Sequence, residues 1–392
     1  MSQLDIPLDD PAFYLGDPYP SYSRLRAEDP VHRHHGHDGS FWAVTRHADV
    51  QHISKNPDLF CSGKGVLLTD LTRPVMSTDS IIYLDPPRHS SHRKLLSPSL
   101  TVRRVSDLEP RIRELAVELL DAIDPSGPVE AVDALASPFP LLVIAELLGV
   151  PREDFDRFRR WSDAMIDSAS EFTDESLGLA AELFMYVSDV VEQRRSHPGD
   201  DLISVLLAAR VDGEALEPVE INMFCMTLLV AGNETTRTLL ANGLIALAEH
   251  PEQRKLLVDE PARIPTAVDE LLRWEPPIMN FCRTATRDVE LRGTTIAEGD
   301  YLVMFYGAAN RDESVFGPTA DVLDVTRDPN PQLSFGYGEH FCMGAGLARM
   351  EARVLLEELL ARWPRYELAG EVERIPSRFV RGINRLPLTL EP

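Results

Sequence analysis

Cysteine is scarce in this sequence and never clustered: Cys61, Cys225, Cys282 and Cys342 are the four present, and no two form a CxxC pair. A structural zinc site or a disulfide scaffold needs closely spaced sulfurs, so neither is indicated and a reducing compartment is expected. Basic charge is also short, with 39 Lys and Arg against 63 Asp and Glu and a formal net charge of -24. A phosphate backbone needs a concentrated basic surface, which excludes nucleic acid as a partner. Long apolar runs are missing too. The longest, Met223 to Gly232, has about half of the ~20 residues that a membrane-spanning helix requires. The opening MSQLDIPLDDPAFYLGDPYPSY has no basic stretch leading into an apolar one, so no secretory signal or membrane anchor is expected. No repeat, Gly/Ser linker or block of like charge divides the chain, which predicts one domain over residues 1–392.

What is present is mostly helical pattern. Apolar residues recur at helical spacing over Val105–Ile123, Pro138–Leu148, Glu182–Arg195, Pro218–Glu249, Ile264–Trp274 and Gly346–Trp363. Sheet is minor: Phe41–Thr45 reads as a strand, and Thr294–Tyr306 reads as a hairpin turning at Glu298-Gly-Asp300. The tract His32-Arg-His-His-Gly-His37 is polar and contains Gly, and is read as a solvated loop. The helix from Pro218 is about 30 residues long, nearly three average helices, so it must cross the molecule. Its centre, Ala231-Gly-Asn-Glu-Thr-Thr236, places a carboxylate and hydroxyls where a buried helix keeps apolar residues, and polar groups there need a reason.

Near the C-terminus, Phe335-Gly-Tyr-Gly-Glu-His-Phe-Cys-Met-Gly-Ala-Gly-Leu-Ala-Arg349 is a Gly-rich loop feeding an amphipathic helix. Orphan N–H groups and the positive end of that helix are expected to stabilise a negative sulfur on Cys342 and lower its pKa. Gly336, Gly338 and Gly344 permit close backbone approach to something flat. The stretch resembles the haem-binding loop of cytochromes P450, matching Phe-Gly-x-Gly-x-x-x-Cys-x-Gly at every fixed position. That resemblance implies that Cys342 is the axial ligand of haem b, iron protoporphyrin IX. It also implies that Phe335 packs on the sulfur side, that Gly344 follows the ligand closely and that His340 meets a propionate.

Further stretches are similar to the same family and fall in its order. Glu270-Leu-Leu-Arg273 resembles its buried Glu-x-x-Arg, completed by Arg327 in Val-Leu-Asp-Val-Thr-Arg, where Leu323 stands in place of the family's usual Phe. Ala231-Gly-Asn-Glu-Thr-Thr resembles its oxygen-activation motif, which implies Glu234 as the acid, Thr235 as the hydroxyl and a local opening at Gly232. Asp85-Pro-Pro-Arg-His-Ser-Ser-His-Arg93 and the segment after Pro276-Pro277 imply His89, Arg93 and Arg283 as propionate donors, with His92 at the surface. The implied fold is the P450 prism, mainly helical with a minor β-rich lobe. The implied activity is hydroxylation of a lipophilic small molecule, steroid or terpenoid, using O2 and two electrons. Those electrons come from a separate ferredoxin and its NAD(P)H-dependent reductase, since no flavin site or ferredoxin-like Cys cluster is present. The expected docking residues are Arg103, Arg104, Arg349 and Arg353. The expected pocket wall is Val66, Leu67 and on to Leu71, Leu228, Ala231, Ile278 to Phe281 with Met279 and Asn280, and Phe379 and Val380. A monomer in the cytoplasm is expected. A peroxide-driven P450 and a haem-thiolate gas sensor or carrier are the rival readings, and the Glu234-Thr235 pair argues against both.

Overall fold

Proline at first helical positions and apolar periodicity together set the helices. The computed structural model describes residues 4–72, 80–161, 174–199, 201–211 and 213–391. Its main helices are α1 (Tyr19–Glu28), α2 (His47–Lys55), α3 (Arg88–Leu96), α4 (Val102–Asp121), α5 (Pro138–Leu148), α6 (Asp174–Ser196), α7 (Leu202–Ala208), α8 (Pro218–Glu249), α9 (Pro251–Asp259), α10 (Ile264–Trp274) and α11 (Ala345–Arg362). Helices α5, α8 and α9 each begin on Pro, whose missing N–H costs nothing there. Helix α5 stops at Gly149, whose positive φ of 68° lets its N–H return to the carbonyls of the last turn. Helix α8 packs against α5, α6, α10 and α11, and one apolar cluster joins all of them with α4.

A five-stranded sheet forms the smaller lobe. Its strands are β1 (Val31–Gly36), β2 (Gly39–Val44), β3 (Phe60–Cys61), β5 (Asn280–Ala285) and β8 (Tyr301–Phe305), in the spatial order β1-β2-β8-β5-β3. Separate small sheets hold β4 (Val129–Glu130), paired with β10 (Pro387–Glu391) and through it β9 (Arg365–Leu368), and the pair β6 (Val289–Leu291) and β7 (Thr294–Ile296). Each face of the large sheet has its own core. Phe41, Cys282, Tyr301 and Phe305 lie in one, and Val44, Phe60, Leu302 and Met304 in the other.

The hairpin expected over Thr294–Tyr306 does not form. Both strands exist, but β7 pairs with β6, while β8 pairs with β5 and β2. All five residues of β8 are buried, so it needs neighbours on both edges, and a two-stranded hairpin supplies only one. The His32–His37 tract is likewise no loop, since its first residues belong to β1. Strand alternation turns His32 and His34 inward and His35 outward. His32 meets Asp29 at 2.8 Å and His34 meets Asp9 at 2.8 Å, which satisfies each buried ring. Among the described residues no cluster of His, Cys, Asp or Glu has a metal-binding arrangement.

Candidate active site

Backbone geometry at two glycines builds the cysteine loop. Gly336 and Gly338 have φ of 71° and 69°, a region that disfavours side chains. The loop closes through Gly336 N–H to Leu333 O at 2.8 Å and Cys342 N–H to Phe335 O at 2.8 Å. Cys342 therefore sits just before α11 with its thiol accessible, while the other three cysteines are buried. The expectation of a lowered thiol pKa is corrected here. Although the residue is exposed, protein atoms crowd the sulfur and their desolvation pushes the Cys342 thiol up, outweighing the Gly344 N–H, Arg93, Arg349 and the Ala345 N–H, all of which favour thiolate. A metal cation at the sulfur would displace that proton outright.

Basic groups converge beside this loop. His89 of α3 is 1% exposed, and its ring lies 4.0 Å from that of His340. The Nδ1 of His89 is buried without a hydrogen-bond partner among the described residues, with the Glu339 carboxylate 3.6 Å away. Arg283 of β5 is buried and donates to its own neighbour's carbonyl, Cys282 O, at 2.6 Å. Arg93 donates to Phe341 O at 2.5 Å. Neither arginine has a carboxylate within ion-pair distance among the described residues. Burial, then Arg283, His89 and Arg93, push the His340 ring down to about 2. Two arginines without such a partner beside two imidazoles, with Glu339 at the edge near His89, make a space that favours an anion.

The third element is α8. Leu228, Ala231 and Thr235 form a stripe at spacings of three and four residues that stays partly open in a helix otherwise buried over its second half. Thr235 donates its hydroxyl to Ala231 O at 2.6 Å. Glu234 is one residue round the helix and 4% exposed, facing Thr238 Oγ1 at 3.3 Å and Arg237 Nη1 at 3.4 Å. The local opening expected at Gly232 is absent, because α8 is continuous there. Gly232 gives space instead: a Cβ on it would lie 2.5 Å from Ile144 Cδ1 of α5.

Beneath the loop, Glu270 and Arg273 of α10 are both fully buried. They make a two-pronged pair at 2.7 and 2.8 Å, and Arg327 reaches the same carboxylate at 3.1 Å. Leu323 fills the core without disturbing that contact, being 2% exposed. The stretch before β5 divides differently from expectation. Met279 packs in the core that contains Phe41 and Phe305, and Asn280 pairs with Phe305, so both point away from the face carrying Phe281 and Arg283. Phe281 and Ile278 instead meet Phe379 at 5.3 Å between rings and Val380 through a β-bridge. Val66 is buried, with its carbonyl held by Cys282 N–H at 2.8 Å, and Leu67 is half-buried.

The sequence profile of the cytochrome P450 family matches residues 129–378. The chain belongs to the cytochrome P450 family. This P450 is 41% identical over 383 residues to a vitamin D(3) 25-hydroxylase of Pseudonocardia autotrophica, covering 96% of this chain and 94% of that protein. It is 42% identical over 348 residues to a mycinamicin IV hydroxylase/epoxidase of Micromonospora griseorubida, covering 88% and 87%. A solved Mycobacterium marinum cytochrome P450 in complex with pseudoionone matches with a TM-score of 0.90 at 36% identity, covering 100% of this chain and 99% of that one. The protein is thus a P450 monooxygenase with the P450 fold, and its cofactor is haem bound through a cysteine thiolate. The site's chemistry fits that group. Two haem carboxylates match the Arg93, Arg283, His89 and His340 cradle, and the accessible thiol lies in the loop beside it.

Some participants were not foreseen. Ser62 holds His340 Nε2 at 3.2 Å, and Asn330 donates to Glu270 at 3.1 Å, neither with a sequence signal. Arg237 did have one, its spacing of three from Glu234 on the same helix. His92, expected at the surface, is half-buried and meets Glu220 of α8 at 3.2 Å. Two of the expected docking arginines are occupied within the P450: Arg349 pairs with Asp269 at 2.8 Å, and Arg353 with Glu109 at 2.6 Å. Arg103 and Arg104 are exposed and carry no ion pair among the described residues. No helix among the described residues is long and apolar enough to cross a membrane.

Proposed function

We propose that Cys342 supplies the axial thiolate and that this P450 hydroxylates a lipophilic small molecule of the steroid or terpenoid kind. Two electrons would come from a ferredoxin and its NAD(P)H-dependent reductase, in the cytoplasm. What supports this is the meeting of one accessible thiol with Arg93 and Arg283, neither of which has a carboxylate within ion-pair distance among the described residues. Cys61, Cys225 and Cys282 are buried in the core while the Cys342 sulfur is accessible beside four groups that favour thiolate, which leaves Cys342 as the sulfur fit to bind metal.

Haem, when bound, supplies the iron that activates dioxygen and allows one oxygen atom to enter a substrate carbon. The remaining work falls to the chain. The Gly344 and Ala345 N–H groups favour negative charge on the Cys342 sulfur. Phe335, stacked under Arg349 at 4.5 Å, would shield the sulfur from water. Arg93, Arg283, His89 and His340 would hold the two haem carboxylates. On α8, beside Ala231, Thr235 would turn its hydroxyl from the Ala231 carbonyl to donate a hydrogen bond. Glu234, held by Thr238 and Arg237, would carry protons inward by rotating its side chain. Leu67, Leu228, Ile278, Phe281, Phe379 and Val380 give that side an apolar wall, consistent with relatives named for vitamin D(3) and mycinamicin IV.

The decisive measurement is the carbon monoxide spectrum of the reduced protein. Wild type should show the red-shifted thiolate band and Cys342→Ala should lose it; a variant that keeps the band refutes the assignment. Spectral titration with vitamin D3, testosterone, pseudoionone and mycinamicin IV then tests the substrate class, and failure of all four to shift the haem spectrum would refute it.

A further inference from the structure

Residues 377–381 form a short projection whose two sides face different tasks. At its tip, Phe379 packs edge-on to Phe281 at 5.3 Å between ring centroids, and Val380 bridges Ile278. Phe281 and Arg283 share one face of β5, so the tip stands beside the carboxylate cradle. The residues flanking the tip point the other way. Arg378 Nη1 pairs with Asp38 and also donates to Asp9 O at 3.2 Å. Arg381 pairs with Glu275 at 2.6 Å and donates to the carbonyls of Tyr14 and, at 2.9 Å, Gly16.

Those partners are themselves fixed. Asp9 accepts from His37 N–H at 2.7 Å and meets His34 at 2.8 Å, packed where Gly36 has no side chain: a Cβ there would lie 2.1 Å from the Asp9 carboxylate. The projection is also tied to β5, through Met279 N–H to Phe379 O at 2.8 Å and Asn280 Nδ2 to Arg378 O at 2.8 Å. An aromatic contact depends on ring position, so whatever fixes the backbone on both sides of Phe379 fixes the contact.

We infer that Asp9 and Asp38 form a specificity-determining support that acts through the positioning residue Arg378, with Arg381 tying the other flank to Tyr14 and Gly16, to hold Phe379 and Val380 against the substrate without touching it. The inference rests on the reading that the tip lines the substrate side. The probes are imidazole, which reads only the iron, and 4-phenylimidazole, whose ring also reads the wall. Both are titrated spectrally into the haem-loaded protein. Arg378→Ala and Asp38→Ala should each lower the affinity ratio of 4-phenylimidazole to imidazole by about tenfold, the scale of one lost aromatic contact. Imidazole affinity and the carbon monoxide band should stay unchanged, and Arg378→Lys, which can keep the Asp38 pair, should recover most of the ratio. Lys255→Ala, which breaks an exposed pair with Asp259, should change nothing. If Phe379→Ala lowers the ratio and Arg378→Ala does not, the support role is refuted while the wall survives. If Phe379→Ala leaves the ratio unchanged, the wall itself is refuted and the support with it. Equal weakening of both probes would mean general damage to the haem site and would also overturn the inference.

Discussion

Replacing Glu270 by Ala should prevent most of the protein from accumulating in haem-loaded form. The carboxylate accepts from Arg273 at 2.7 and 2.8 Å, Arg327 at 3.1 Å, Asn330 at 3.1 Å and the Asp324 N–H at 2.8 Å. Its loss strands two guanidiniums, of which Arg273 is fully buried and Arg327 is 9% exposed. Breaking a buried pair from one side costs about 3–5 kcal/mol, against a total stability of about 5–15 kcal/mol. Arg273→Ala should cost a similar amount by another route. Glu270 would keep Arg327 and so would the Val322 carbonyl, but the carbonyls of Asn310 and Ala320 would lose the Arg273 donor, at about 1–3 kcal/mol for each one left dry. The double variant Glu270→Leu/Arg273→Met separates these effects. Swapping a buried ion pair for apolar side chains can be neutral. Here it should not rescue, because the Asn310 and Ala320 carbonyls and the Asp324 N–H lose their partners and Arg327, though still donating to Thr319 and Val322, loses its counter-charge. The assay is the urea midpoint, with its slope checked for constancy, alongside the yield of the thiolate carbon monoxide band. A Glu270→Ala protein within about 1 kcal/mol of wild type and normally loaded with haem would refute the reasoning.

Thr235→Ala should keep haem and substrate-induced spectral shifts but form less product per NAD(P)H consumed and more hydrogen peroxide, since positioned proton delivery is worth ~10²–10⁴-fold. Wild-type coupling would reduce Thr235 to an ordinary helix residue. Turnover with an acidic ferredoxin should weaken as salt rises, and Arg103→Glu/Arg104→Glu should raise the ferredoxin concentration needed. Arg353→Gln should leave that salt dependence alone, because Glu109 and Glu357 already occupy the guanidinium; an effect equal to that of the Arg103 and Arg104 changes would show otherwise. For Asp312, burial pushes the carboxyl up, but Ser314, the His47 N–H and Arg46 outweigh it and hold the group below its ordinary value. Its stabilising contribution is therefore present above a pH of ~3.9 and lost as pH falls through that range. Asp312→Asn should flatten the acid side of a plot of urea midpoint against pH, and an unchanged slope would exclude Asp312 as its source.

Helices were legible where proline and periodicity agreed: α5, α8 and α10 have the bounds expected for them. The Glu270, Arg273 and Arg327 grouping was legible because two partners share a helix turn and the third lies in a recognisable stretch before the cysteine loop. Less legible was anything decided by the far side of a strand. The histidines of β1 look like a polar loop until Asp9 and Asp29 are seen to satisfy them, and those partners lie outside the tract. Met279 and Asn280 look like pocket residues until the register with β8 fixes which face each side chain takes. The Cys342 thiol shows the same limit in electrostatics. The helix N-terminus is visible in sequence, but the burial that outweighs it is not.

At Gly338 the cysteine loop lies on the end of α2, where a Cβ would stand 2.2 Å from the Ser54 carbonyl oxygen and 2.9 Å from its carbon. Main chain rests on main chain there, and neither surface has a side-chain rotamer with which to yield. Lys55 adds its ammonium 4.9 Å from the centre of the Tyr337 ring, next to the same contact. Any side chain at position 338 would therefore have to lift the loop carrying Cys342 off α2, and the sulfur's height over the sheet lobe is set by the absence of a single carbon atom.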